Sequence, residues 1–164
     1  MLIESYEVMS EITTEKNTEL TTFMSSAGAE CAKMYGILDR IERISTRVFV
    51  DTRASAPEVG GLARGRYNVL VISPATANTV AKIVVGIADT IITNAVAQAQ
   101  KAGTPIILVP TDQAIGPLQT WLPDMVTEHG KETSDRPKYG EEIQISIRKV
   151  DADNFERLKK MEGM

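Results

Sequence analysis

Seven consecutive residues, Ser73-Pro74-Ala75-Thr76-Ala77-Asn78-Thr79, carry the groups in this chain best suited to holding a small molecule. The Asn78 amide both donates and accepts, and the Thr76 and Thr79 hydroxyls do the same. Ala75 and Ala77 leave the backbone open to close approach by a flat ligand. Such groups read the edge of a planar heterocycle or a sugar chain. Ser25 and Ser26 stand before a second helical pattern. Hydroxyls beside free N–H groups at the positive end of a helix suit a phosphate. Asp112, in Pro110-Thr111-Asp112, adds a carboxylate. A serine at a helix start is by itself an ordinary N-cap, and Pro-Ala-Thr by itself an ordinary turn. Convergence of three such turns on one sheet edge is what indicates a phosphorylated, planar ligand. No catalytic acid, base or nucleophile stands out. The single histidine, His129, falls in a late loop, and the single cysteine, Cys31, falls in a helix where a buried, inert thiol is expected.

These residues need strands and helices to bring them together. Val69-Leu70-Val71-Ile72 is a short, β-branched, unbroken apolar run, as in a parallel strand buried on both faces. Ser73 to Thr79 then lies at the carboxyl end of a strand over 68–72, where open α/β sheets bind ligands. Further strands are predicted over 18–24, 47–51, 105–109 and 143–147, the last from the alternation of Ile143, Ile145 and Ile147 with polar residues. Helices are predicted over 1–15, over 27–41 with Ser26 as cap, over 57–63, over 76–102 with a break near Gly86 and Asp89 as a new cap, and over 151–162 with Asp151 as cap. Gly103 reads as a helix C-cap. The segment 113–142, with Pro117, Pro123, Pro137, Gly116, Gly130 and Gly140, reads as loop. Strands alternating with helices imply a doubly wound, three-layer α/β/α parallel sheet.

With 164 residues, 43% of them hydrophobic, the chain suits a single domain with a real core: 1–112 as core, then the loop-rich segment, then a terminal strand and helix over 143–164. A net charge of -4 does not favour nucleic acid or an anionic membrane surface. One cysteine excludes an internal disulfide and fits a reducing cytoplasm. No apolar stretch approaches the roughly 18 residues of a membrane span.

The run Asn68-Val69-Leu70-Val71-Ile72-Ser73-Pro74-Ala75-Thr76-Ala77-Asn78-Thr79-Val80-Ala81-Lys82-Ile83, followed by Gly86-Ile87-Ala88-Asp89 and Ile91-Ile92-Thr93-Asn94, resembles the flavoprotein family that includes phosphopantothenoylcysteine decarboxylase. The resemblance extends over about 21–112. It is closest to the archaeal branch, the archaeoflavoproteins and the dihydromethanopterin reductases. It implies a Rossmann-like fold, FMN as cofactor and a homo-oligomer. It implies that Ser25 or Ser26 helps hold the FMN phosphate, and that Ser73, Pro74, Ala75, Thr76, Asn78 and Thr79 wrap the ribityl chain and isoalloxazine. Thr93 and Asn94 match a stretch near the flavin or a subunit interface.

The resemblance implies an FMN-dependent oxidoreductase or electron carrier that accepts electrons from ferredoxin or another redox protein, with a dihydropterin as the alternative substrate. Decarboxylation is disfavoured, because no histidine occurs between Val48 and Tyr67, where the decarboxylases use one. A non-catalytic flavoprotein subunit is a further alternative. Relatives begin with an apolar strand and a Gly-rich turn that cradles the phosphate. The sequence given begins at Met1 within what matches the first helix. Taken literally, it is expected to lack a central strand and to bind FMN weakly.

Overall fold

The computed structural model describes residues 1–52, 56–123 and 139–161. Its element order is α1 (Leu2–Ile12), β1 (Thr21–Met24), α2 (Ser26–Met34), α3 (Leu38–Ile44), β2 (Arg47–Val50), a 3-10 turn (Pro57–Val59), α4 (Gly60–Ala63), β3 (Leu70–Ala75), α5 (Ala77–Val84), α6 (Ile91–Ala102), β4 (Ile106–Pro110), β5 (Gly116–Pro123), β6 (Tyr139–Ile147) and α7 (Lys149–Leu158). This is a mixed α/β fold with parallel strand pairs. β1 pairs with β2 in register from Thr21 opposite Arg47 to Met24 opposite Val50. β3 pairs with β4, with Leu70 opposite Ile106 and a register shift between Ile72 and Ala75. No ladder joins β1 to β3 among the described residues, so the pairs form separate sheets.

The core is gathered around β3 and α6. Leu70, Ile72 and Ala75 of β3, Ile106 of β4, Val80 and Ile83 of α5, and Leu158 of α7 are buried in one cluster. α6 contributes Ile91, Ala95 and Ala99, spaced by one turn, together with Val96. It also packs against β1, so one helix spans both parallel pairs. Phe23 of β1 stacks on Phe49 of β2 at 5.5 Å and meets the edge of Tyr67 at 6.1 Å.

Several elements differ from the sequence expectation. The helix predicted over 27–41 is two helices. Gly36 at φ +64° receives the end of α2, with Ile37 N–H donating to Ala32 C=O and Gly36 N–H to Lys33 C=O. That pattern closes a helix and needs a left-handed residue at its corner. α2 is capped by Ser25, not Ser26, and α6 by Thr90, not Asp89. α7 starts at Lys149 with Arg148 as its N-cap, and Asp151 lies inside its first turn. The largest difference is within 113–142, expected as loop: β5 and the start of β6 are strand there, paired as an antiparallel ribbon with Leu118 opposite Ile145, while 124–138 lies outside the described residues. β6 is therefore not part of the parallel sheets. His129 lies outside the described residues. Cys31, expected to be buried, is exposed, because that position of α2 faces away from Ala32, the helix's buried residue.

Candidate functional site

The carboxyl ends of β1, β3 and β4 carry the polar residues singled out above. After β1, Ser25 caps α2 by accepting the Gly28 N–H at 3.0 Å. Acceptance uses a lone pair, and the Ser25 proton is engaged by no described residue. Ser26 is exposed and already committed, since its hydroxyl donates to the Asp51 carbonyl at 2.8 Å. The two serines are thus distinguished: one has a proton to give, the other has given it. Asp51, just past β2, was not singled out from the sequence. Its carboxylate accepts the Ile91 N–H at 3.0 Å, so it ties the start of α6 to the turn that opens α2. A lone aspartate after a strand was the only signal available for it.

After β3, Thr76 is the N-cap of α5, with its side chain accepting from Thr79 N–H and lying 3.2 Å from the Thr79 hydroxyl. The two threonines shape the turn, while the Asn78 amide, exposed in the first turn of α5, bonds to no described residue. The Ser73–Pro74 peptide is cis. The Ser73 hydroxyl lies 2.7 Å from that of Ser5 on α1, a residue with no sequence signal beyond its place in an amphipathic helix. After β4, Thr111 N–H donates to the Ala75 carbonyl at 2.9 Å, which fixes this turn beside the one after β3. The Thr111 hydroxyl donates to the Asp112 carboxylate.

Thr93 and Asn94 belong to the start of α6. Thr93 is buried, and its hydroxyl and that of Thr90 form a reciprocal capping box. Asn94 uses both protons of its amide nitrogen on the chain itself, donating to Ala88 C=O at 3.1 Å and Thr90 C=O at 3.0 Å. These two side chains secure the loop entering α6. Nearby, Lys82 pairs with Asp89 at 2.8 Å and holds its carboxyl below the usual range through a side-chain hydrogen bond. Among the described residues no cluster of histidine, cysteine or carboxylate is arranged to hold a metal ion.

As a donor set, the edge fits a phosphorylated flavin. A free hydroxyl proton stands at the start of α2 and a free amide at the start of α5, while Ala75, at the end of β3, is buried in the core.

Dihydromethanopterin reductase (acceptor) of Methanocaldococcus jannaschii is 40% identical over 131 residues, covering 75% of this chain and 53% of the reductase. Its counterpart from Methanosarcina mazei is 41% identical over 120 residues, covering 68% of this chain and 50% of that protein. The chain thus spans about half the length of these two reductases. Among solved structures, apo DmrB from Burkholderia xenovorans, described as a cubic protein cage for redox transfer, matches with a TM-score of 0.70 and 32% identity over 97% of this chain and 76% of its own. DmrB has also been solved in complex with FMN (TM-score 0.60, 26% identity, covering 89% of this chain and 86% of that one). The family model described as Flavoprotein matches residues 2–129, and the chain belongs to that family.

Proposed function

We propose that the chain binds FMN along the carboxyl ends of β1, β3 and β4 and acts as an FMN-dependent reductase. Its substrate is a dihydropterin of the dihydromethanopterin class, its electrons come from ferredoxin or another redox protein, and it works as a homo-oligomer. The observation that carries this reading is the turn after β3. There Thr76 and Thr79 hold the backbone while the Asn78 amide stays free to meet a ligand edge. Similarity to the two reductases and to an FMN-binding cage supports the chemistry and the assembly.

FMN, when bound, supplies the two-electron chemistry. The chain's own residues have three tasks. Ser25 donates its free proton to the phosphate, with the positive end of α2 behind it. Asn78 fixes the ring or the sugar chain by donating and accepting at once. Asp112, held by Thr111, faces the same edge and limits which substrate groups approach it. Reduction of a dihydropterin also takes up one proton beside the hydride; solvent at the exposed turn is its source, so the reading does not depend on a histidine between Val48 and Tyr67.

Two measurements test this. FMN titration of the purified chain should quench flavin fluorescence at a one-to-one ratio, and an unquenched titration rejects the cofactor assignment. Anaerobically reduced, FMN-loaded protein mixed with dihydromethanopterin should reoxidise faster than in buffer. No acceleration, together with bleaching by reduced ferredoxin, would leave an electron carrier in place of a pterin reductase.

A further inference from the structure

The hydrogen bonds at the end of β3 have a direction. The Ser5 hydroxyl lies 2.6 Å from the Met1 carbonyl, which only accepts, so the Ser5 proton points there. The same hydroxyl is 2.7 Å from the Ser73 hydroxyl. With the Ser5 proton already placed, the proton between the two serines comes from Ser73. A serine hydroxyl has one proton and two lone pairs. Ser73 therefore presents only lone pairs to anything bound at the strand end. Ser73 is half-buried, and α1 is the element that supplies its partner.

We infer that Ser5 is a positioning residue for the cofactor: by accepting the Ser73 proton it makes Ser73 a pure acceptor, which selects a hydrogen-bond donor on the flavin, a ribityl hydroxyl or a ring N–H. The inference rests on the flavin reading above and adds to it a residue on α1, outside the strand-end turns. Without Ser5, the Ser73 hydroxyl turns freely and offers its proton to the ligand as often as its lone pairs. A ligand donor then loses a partner fixed in advance, and a fixed polarity at the site is lost.

A double-mutant cycle tests the route through Ser73. Ser5→Ala and Ser73→Ala should each weaken FMN binding about 3- to 10-fold, the range expected for one hydrogen bond. Ser5→Ala added to Ser73→Ala should change affinity less than about 2-fold, because Ser5 then has nothing to orient. The visible bands of bound flavin in Ser5→Ala should move to the positions seen in Ser73→Ala. Ser5→Thr, which keeps the hydroxyl, should restore wild-type binding and spectrum. The melting temperature of the cofactor-free protein should be unchanged in Ser5→Ala, since alanine suits a helix interior. Multiplying losses in the double variant, or an unchanged affinity in Ser5→Ala, overturns the role of Ser5 while wild-type binding still supports the flavin reading. A wild-type chain that takes up no FMN overturns both, and is recognised from the first titration.

Discussion

At the scale of single residues, the site is decided by where protons already are. Ser25 and Ser26 are indistinguishable in the sequence as phosphate partners. In the fold, Ser26 gives its proton to Asp51 and Ser25 keeps its own. Ser25→Asp separates capping from phosphate binding. Aspartate caps a helix as well as serine does, but it places a negative charge where the phosphate would sit. The melting temperature of the cofactor-free protein should stay within about 2 °C, as a preserved cap implies. FMN affinity should fall by at least about 10-fold, the cost of one unfavourable charge contact in a partly buried place. Riboflavin, which has no phosphate, should bind Ser25→Asp as it binds the wild type. Equal losses for FMN and riboflavin would remove Ser25 from the phosphate. Ser26→Ala should leave FMN affinity within about 2-fold, since its proton is already given to the Asp51 carbonyl. The β3 turn was legible residue by residue because its polar groups are local. Asp51 and Ser5 were not, because each acts on a residue 40 or 68 positions away.

At the scale of elements, the sequence was most informative where periodicity and termination agree. The α5–α6 break and the Gly103 cap at φ +69° came from such agreement, as did the existence of β3, though it runs over Leu70–Ala75 and takes in Ser73, Pro74 and Ala75, expected as turn after a strand over 68–72. It was least informative in the β5–β6 ribbon. Proline and glycine there signal loop, yet in a two-stranded ribbon each strand is an edge, where a missing N–H need not break a ladder. The start of α7 shows a second limit. Asp151 suits an N-cap, but its carboxylate pairs with the Arg148 guanidinium through two contacts of 2.8 Å. Those hydrogen bonds hold the Asp151 carboxyl below the usual carboxylate range. A carboxyl whose value falls on folding stabilises the fold above its unfolded value, and that contribution fades as pH drops through the folded value. The window therefore opens below about pH 4. Asp151→Asn should be less stable than wild type at neutral pH. The difference in melting temperature should narrow as pH falls from about 6 to about 3. A gap that stays constant across that range would mean that Asp151 contributes through packing alone.

At the scale of the whole molecule, the question is what unites two separate parallel pairs. Parallel strands are normally buried in larger sheets, and a two-stranded sheet is marginal by itself. Here α6 packs on β1, β3 and β4, and its Ala95 and Ala99 are buried in the core cluster, Ala99 fully. Small side chains let the helix lie close to both pairs, so α6 takes the uniting role that a shared ladder would otherwise have. Ala99→Leu adds three carbons where no space exists and should cost about 1–3 kcal/mol by overpacking. For a chain of this size that is a fall of roughly 2–4 °C in melting temperature per kcal/mol. The decisive readout is spatial. Because one helix serves both pairs, amide exchange should accelerate together in β1 (Thr21–Met24) and in β3 (Leu70–Ala75), two strands without a common ladder. Ala102→Leu, on the same helix but exposed, should leave both unchanged. Acceleration confined to β3 and β4 would show that β1 and β2 are held by their aromatic stack on Tyr67 and not by α6. The turns after β1 and after β3, proposed above to hold one flavin, would then keep their spacing through Tyr67, which packs on the same core.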